Sequence, residues 1–331
     1  MRVLINRSDA IGDTILTIPM AEVIKNHSDS SKVVFITKAL TKPLFKNNPY
    51  VDDVWDINDS ELRKKINTYG FDAYIYVGGS HRPSLYSFLS RIKLRAGLKS
   101  KWPSYLFLNK ANRQKRSQIK NHELAYNLLL LEQLGITFSS DHPGPKLYLD
   151  DNIKKENTII VHPGMTGHTL NWPLKNYAML LKKIMNQYGA RYNVLVSYTQ
   201  SDIEHVNGVK QYLGQEDINK ICFYDGGHKG LWEFIQKVKK ASLFIGPSTG
   251  TTHIANTVGT KVLTFYSPIK SQSEKRWGPF YRTKNMTELL VPEVHCEATS
   301  KCLQNSCPSY ECMGKISVDM AFEKVCQLLE N

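Results

Sequence analysis

Short apolar runs alternate with longer stretches in which apolar residues recur every third or fourth position, and the alternation starts at the first residues. The run Arg2-Val3-Leu4-Ile5-Asn6 predicts a buried strand, a loop follows over 7–13, and spacing typical of an amphipathic helix covers 14–26. Strands over 32–37 and 73–77, the latter closed by Gly78-Gly79, and helices over 61–68 and 122–134, the latter ended by Gly135, continue the pattern. A polar segment at 150–157 (DDNIKKEN) breaks it and reads as a linker. The pattern then restarts, with strands over 158–162, 192–197, 220–224, 243–246 and 261–266. Helices are predicted over 174–188, 201–212, 230–240, 250–258 and 318–329. Strand–helix alternation of this kind builds parallel sheets covered by helices on both faces. The chain is therefore expected to be α/β, with two doubly wound domains over 1–150 and 157–316. Their ligands belong at the carboxyl ends of the strands.

A length of 331 residues suits two domains of roughly 150 residues. With 41% hydrophobic and 22% charged residues, disorder and fibrous repeats are excluded. No apolar run approaches the ~20 residues that span a bilayer. Asp9 and Asp13 interrupt the apolar stretch at the start, so no secretion signal is expected and the chain reads as cytoplasmic. Charge changes the picture more. The 43 Lys and Arg against 30 Asp and Glu leave +13, which asks for an anionic partner. Residues 81–120 hold eleven of the cations, among them Arg82, Arg91, Lys93, Arg95, Arg113 and Arg116, and no acid. Aromatic residues interleave with them: Tyr86, Phe88, Trp102, Tyr105, Phe107. A solvated basic surface is the plain reading and contact with a polyanion the favoured one. Nucleic acid fits the charge but brings no recognisable motif, and an anionic membrane or phosphorylated glycolipid fits equally.

Candidate chemistry lies in three loops at strand ends. Gly12 lets the backbone of Ser8–Asp13 turn tightly, and Asp13 sits where a helix begins, either as a general base or as a helix cap; spacing alone admits both. Ser248-Thr249-Gly250-Thr251-Thr252-His253 places small residues and hydroxyls at a helix start, where free N–H groups and the helix dipole can hold a phosphate. His253 reads as either a ligand contact or a satisfied core histidine. His162-Pro163-Gly164-Met165-Thr166-Gly167 forms a further loop wall, with Trp172 a packing residue. Neither a Walker A nor a dinucleotide fingerprint is present, which disfavours a nicotinamide oxidoreductase. Cys296, Cys302, Cys307 and Cys312 suffice in number for a structural metal. They lack the Cys-x2-Cys pinch, however, so free or partly paired thiols are preferred and no metal is expected.

In this order the segments resemble the glycosyltransferase family of ADP-heptose:lipopolysaccharide heptosyltransferases, family 9. The resemblance runs from Arg2–Ile5 with Ile11-Gly12-Asp13 and Pro19 through His122-Glu123-Leu124, His162-Pro163-Gly164 and Trp172-Pro173. It continues through Thr249-Gly250-Thr251-Thr252-His253-Ile254-Ala255 to Cys307-Pro308 and Cys312-Met313-x-x-Ile316. It implies a GT-B architecture of two Rossmann-like domains. The first would take the acceptor, here Gly12 with Arg82, Arg91, Lys93, Arg95, Arg113 and Arg116. The second would take the nucleotide-sugar, on Ser248–His253 with His162 and Gly164, and a helix over 317–331 would cross back onto the first. The implied reaction is inverting and cofactor-free: Asp13 is the base, ADP-heptose the donor and an anionic, lipid-linked lipopolysaccharide core the acceptor. It would run at the inner face of the inner membrane, with no nucleic acid involved. Two departures stand out. Ser248 replaces a common Asp, and Leu170-Asn171 stands where Lys or Arg precedes Trp-Pro, with Lys175 and His168 the nearby basic residues. They admit another donor, such as a UDP-hexosamine, or a non-catalytic protein binding glycolipid or nucleic acid.

Overall fold

The computed structural model describes residues 1–138, 144–150, 152–165, 167, 169–283 and 285–330. The chain forms two compact units, 1–116 with 120–148, and 149–331 with 117–119. The division falls just before the polar segment read as a linker.

The first unit is built on strands β1 (Arg2–Arg7), β2 (Lys32–Thr37), β3 (Asp53–Asp56), β4 (Ala73–Gly78), β5 (Leu94–Leu98) and β6 (Lys110–Asn112). All neighbours are parallel, in the order β3-β2-β1-β4-β5-β6. Val3–Ile5 and Val33–Ile36 are fully buried, as continuous apolar strands covered on both faces must be. The second unit repeats this plan with β7 (Glu156–Val161), β8 (Asn193–Tyr198), β9 (Ile221–Asp225), β10 (Ala241–Pro247), β11 (Lys261–Phe265) and β12 (Thr287–Leu290). Its order is β12-β11-β10-β7-β8-β9, again wholly parallel.

In each sheet the chain starts at the centre, builds outward one way, then returns to build the other. The reversal leaves a switch point between β1 and β4 in one unit and between β7 and β10 in the other. In open α/β sheets a crevice opens at that place, beyond the carboxyl ends of the strands.

The expected helix over 14–26 is two. Ile11–Ile15 ends where Thr14 and Thr17 turn their hydroxyls back onto the Ala10 and Asp13 carbonyls, and Pro19 opens Pro19–His27 at its first position. The helix expected over 122–134 is likewise α-helical only at Glu123–Leu128, then tightens to a 3-10 turn at Leu131–Leu134 before Gly135 (φ 77°). The final helix Val318–Glu330 buries Ala321, Val325 and Leu328 in the core of the second unit, with Trp172, Tyr177 and Leu263. Among the described residues no helix is long and apolar enough to cross a membrane.

Candidate active site

The carboxyl end of β1 carries a charged cluster. Arg7, only 3% exposed, ends the strand, and its guanidinium donates to the Val77 carbonyl of β4 at 3.2 Å. The same guanidinium forms an ion pair with Asp13 and lies 3.5 Å from Asp9. Asp13 is therefore not a helix cap. Ala10 holds the cap position of Ile11–Ile15 without a side-chain bond, and Asp13 stands in the first turn facing Arg7. Burial pulls the Arg7 pKa down, but Asp13 and Asp9 together with Glu123 outweigh it and the pKa rises. For Asp9, burial dominates and holds the carboxyl above its ordinary pKa despite Arg7.

The end of β4 is shaped to accept this cluster. A Cβ on Gly78 would stand 2.6 Å from an Asp9 oxygen, and one on Gly79 (φ 87°) would stand 2.3 Å from Asp9 and from the Ser8 hydroxyl. Asn6 donates to the Ser80 carbonyl at 2.8 Å, and Tyr76 stacks on His81 with ring centres 4.0 Å apart. Burial and Lys101 push the His81 pKa down. Asn6 Oδ1, Arg7 Nε, Asp9 Oδ1 and His81 Nε2 are buried here with no hydrogen-bond partner. Buried polar atoms are nearly always satisfied, so four exceptions at one switch point leave donors and acceptors that water or a polar ligand can meet.

The basic residues divide. Arg82, Arg91, Lys93 and Arg113 are exposed, whereas Arg95 and Arg116 serve the fold. Arg95 donates to the backbone carbonyls of Phe107, at 2.7 Å, and Ile92. Arg116 is buried against Glu123, Gln114 and Asn127. The sequence expectation is that both meet an acceptor; in the fold their guanidiniums are engaged by backbone carbonyls and by a buried acid.

In the second unit, the loops after β7 and β10 are adjacent, since the His162 amide donates to Ile245 at 2.8 Å. His162 itself is buried. Its Nδ1 lies 3.0 Å from the Ser197 carbonyl, and burial holds its pKa down, so the ring orders the loop from inside. Gly164 is required by space, because a Cβ there would be 2.3 Å from the Asp202 carboxyl carbon. Thr166 and His168 lie outside the described residues. Asn171 is engaged in the backbone, donating to Pro163 at 2.8 Å and accepting from Trp172 at 2.9 Å. Trp172 packs flat on Phe265 and donates to the Ile316 carbonyl at 2.9 Å, a core residue as expected.

Helix Gly250–Thr257 begins at the β10 end with Thr249 as cap, whose side chain makes no capping bond to its first amides. The Thr249 and Thr251 hydroxyls are 2.8 Å apart, Thr252 donates to the Pro247 carbonyl at 2.6 Å, and the Ser248 amide donates to Phe265. The buried phenol of Tyr266 donates to the Trp277 carbonyl at 2.8 Å. His253 is buried within the helix's first turn. An uncapped N-terminus rimmed by hydroxyls can take a phosphate.

Cys296, Cys302, Cys307 and Cys312 line one cavity of about 390 Å³ with Leu170 and Asn171, and all are free thiols. Burial, then the three neighbouring thiols, pushes the Cys312 pKa up. Among the described residues no group of three or more His, Cys, Asp or Glu is placed to hold a metal ion.

The model of the family described as glycosyltransferase family 9 (heptosyltransferase) matches residues 60–307. A Haemophilus influenzae protein named provisionally as a glycosyltransferase is 26% identical, over 84% of this chain and 86% of its own. Lipooligosaccharide heptosyltransferase 2 of Campylobacter jejuni is 20% identical over 100% of this chain and 99% of its own. The structure of Escherichia coli ADP-heptose lipopolysaccharide heptosyltransferase II superposes with a TM-score of 0.81 at 16% identity, covering 100% and 99% of the two chains. Its fold is the two-domain α/β architecture of the GT-B class that the sequence implies.

Proposed function

The chain belongs to glycosyltransferase family 9, the heptosyltransferases, and on that premise we propose that it moves a heptose from ADP-heptose onto a lipid-linked lipopolysaccharide core with inversion. The observation that carries this reading is the buried Arg7 gripping Asp13 at the switch point of the first sheet. Asp13 removes the proton of the acceptor hydroxyl as its oxygen attacks the anomeric carbon. The bond between that carbon and the diphosphate oxygen breaks, and ADP leaves. Developing negative charge on the diphosphate meets the free amides and positive dipole end of Gly250–Thr257. Exposed Arg82, Arg91, Lys93 and Arg113 attract the anionic acceptor at the inner face of the inner membrane, where the protein binds peripherally.

Asp13→Asn tests the assignment. Transfer should fall at least a thousand-fold while ADP binding and thermal stability change little; a variant that keeps wild-type turnover overturns the role of Asp13. A second donor is supported by one observation: Asn171, which with Ser248 stands where family members commonly carry a cation and an acid, is held by the Pro163 carbonyl. Calorimetric titration with ADP, UDP and ADP-heptose decides. Preference for ADP and its heptose supports the main reading, and preference for UDP supports a hexosamine donor.

A further inference from the structure

Helices Arg82–Leu89 and Trp102–Phe107 touch through Phe88 and Phe107, whose rings are 5.8 Å apart, and both leave large apolar side chains in water. Phe88 is 43%, Leu89 48%, Tyr105 47%, Leu106 59% and Trp102 70% exposed. Trp102 and Leu106 are four residues apart on one helix and so share a face. Single exposed apolar residues need no explanation; five on two touching helices do.

Cations surround this patch and lean on its rings. Lys99 Nζ stands 4.7 Å over Tyr105, Arg113 donates to the Tyr105 hydroxyl at 2.7 Å, and the guanidiniums of Arg82 and Arg95 lie 5.8 and 5.4 Å over Tyr86 and Phe88. No Asp or Glu occurs anywhere in 81–120 to oppose them.

We propose that this face docks on an anionic phospholipid bilayer, with Trp102 and Leu106 entering the headgroup region and Lys99, Lys101 and Arg113 meeting lipid phosphates. The two halves of the patch ask for different things, and a bilayer supplies both. Nucleic acid would meet the charge but leaves Leu89 and Leu106 without a partner. A second copy of the chain would cover the apolar side chains but set one acid-free basic face against another. A six-residue helix is about 9 Å long, enough to lie in the interface and far too short to cross it. Aromatic rings with cations beside them suit that depth, since the ring body enters the acyl boundary while the charged head stays with the phosphates. The inference deepens the membrane-face reading and rests on it for its purpose, but vesicle binding and sugar transfer are measured apart.

The test is flotation of the full-length protein with vesicles of phosphatidylglycerol and phosphatidylethanolamine, or of phosphatidylcholine alone, across a salt series. The protein should float with the anionic vesicles at low salt and remain behind with phosphatidylcholine. Trp102→Ala with Leu106→Ala should weaken anionic-vesicle partition at least ten-fold. ADP affinity, melting temperature and transfer to a delipidated acceptor should stay within two-fold or two degrees. A Trp102→Gln variant serves as a milder check on folding. Equal partition of variant and wild type, equal binding to phosphatidylcholine, or tighter binding to a single-stranded RNA than to vesicles each overturns the proposal. So does a dimer, seen by ultracentrifugation, that the double variant dissolves without changing vesicle binding. Should transfer fail while flotation succeeds, the enzymatic reading falls and this one stands.

Discussion

Arg7 is 4% exposed in its side chain and faces two carboxylates, so its removal leaves Asp9 and Asp13 side by side without the cation between them. In the proposed mechanism its contribution to turnover is to fix where Asp13 points. Arg7→Gln should lower kcat about a hundred-fold with KM changed less than three-fold, the signature of a misplaced group rather than a lost binding contact. Arg7→Lys should recover part of the loss, because the charge returns without the forked donor geometry; steady-state kinetics on both variants decides. His162 gives a pH test. Its pKa in the fold lies below the ordinary value near 6.5, so the unfolded chain binds the proton first on acidification. Its contribution to stability is therefore whole above pH 6.5 and is lost as pH falls through the folded value. Melting temperature should decline from pH 6.5 toward 5, and His162→Gln should flatten that limb. Lys155 shows the same sign at alkaline pH. Burial beside Lys239 and Lys261 pulls its pKa down to about 8, so stability should rise between pH 8 and about 10.5, and Lys155→Met should abolish the rise.

Elements with strong patterns are found where the sequence places them: Lys32–Thr37 and Leu174–Tyr188 match to the residue. The four strands that pattern does not disclose are β3, β5, β6 and β12. Asp53–Asp56 and Lys110–Asn112 are short, flank or close their sheet, and expose polar residues, while Leu94–Leu98 lies inside the basic stretch. What makes them strands is pairing with a neighbour, which no local periodicity records. The candidate site divides the same way. That Asp13, Gly164 and Thr249–Thr252 follow strand ends is legible because a strand must end in a loop and a loop in a helix. Arg7 is not, since only the pairing of β1 with β4 brings its guanidinium under Val77. Nor can spacing separate Arg116, buried on Glu123, from exposed Arg113. Gly164→Ala probes the donor-loop element. Its Cβ collides with Asp202, which closes the capping box of the 3-10 turn Gln200–Asp202 with Thr199, so the loop must shift. The expected cost is about 1–3 kcal/mol, read by denaturant unfolding, with a weaker ADP affinity.

At the scale of the molecule, each unit has a core of its own around a sheet of the same strand order. Calorimetry should therefore resolve two unfolding transitions, and ADP should raise the one belonging to the second unit, by about 2.7 kcal/mol at a hundred-fold excess over Kd. A single transition, or a shift of the other, would place the nucleotide elsewhere. The helix Val318–Glu330 gives the second core a history the first does not share. Ala321, Val325 and Leu328 complete a core whose strands were all made earlier in translation. While the ribosome is still working, the first unit can close with every strand in hand. The second must wait with an apolar stripe of its sheet uncovered until the helix emerges. Chaperone dependence and truncation sensitivity should thus concentrate in the later-made half, and a chain cut before residue 318 should emerge half folded and half sticky.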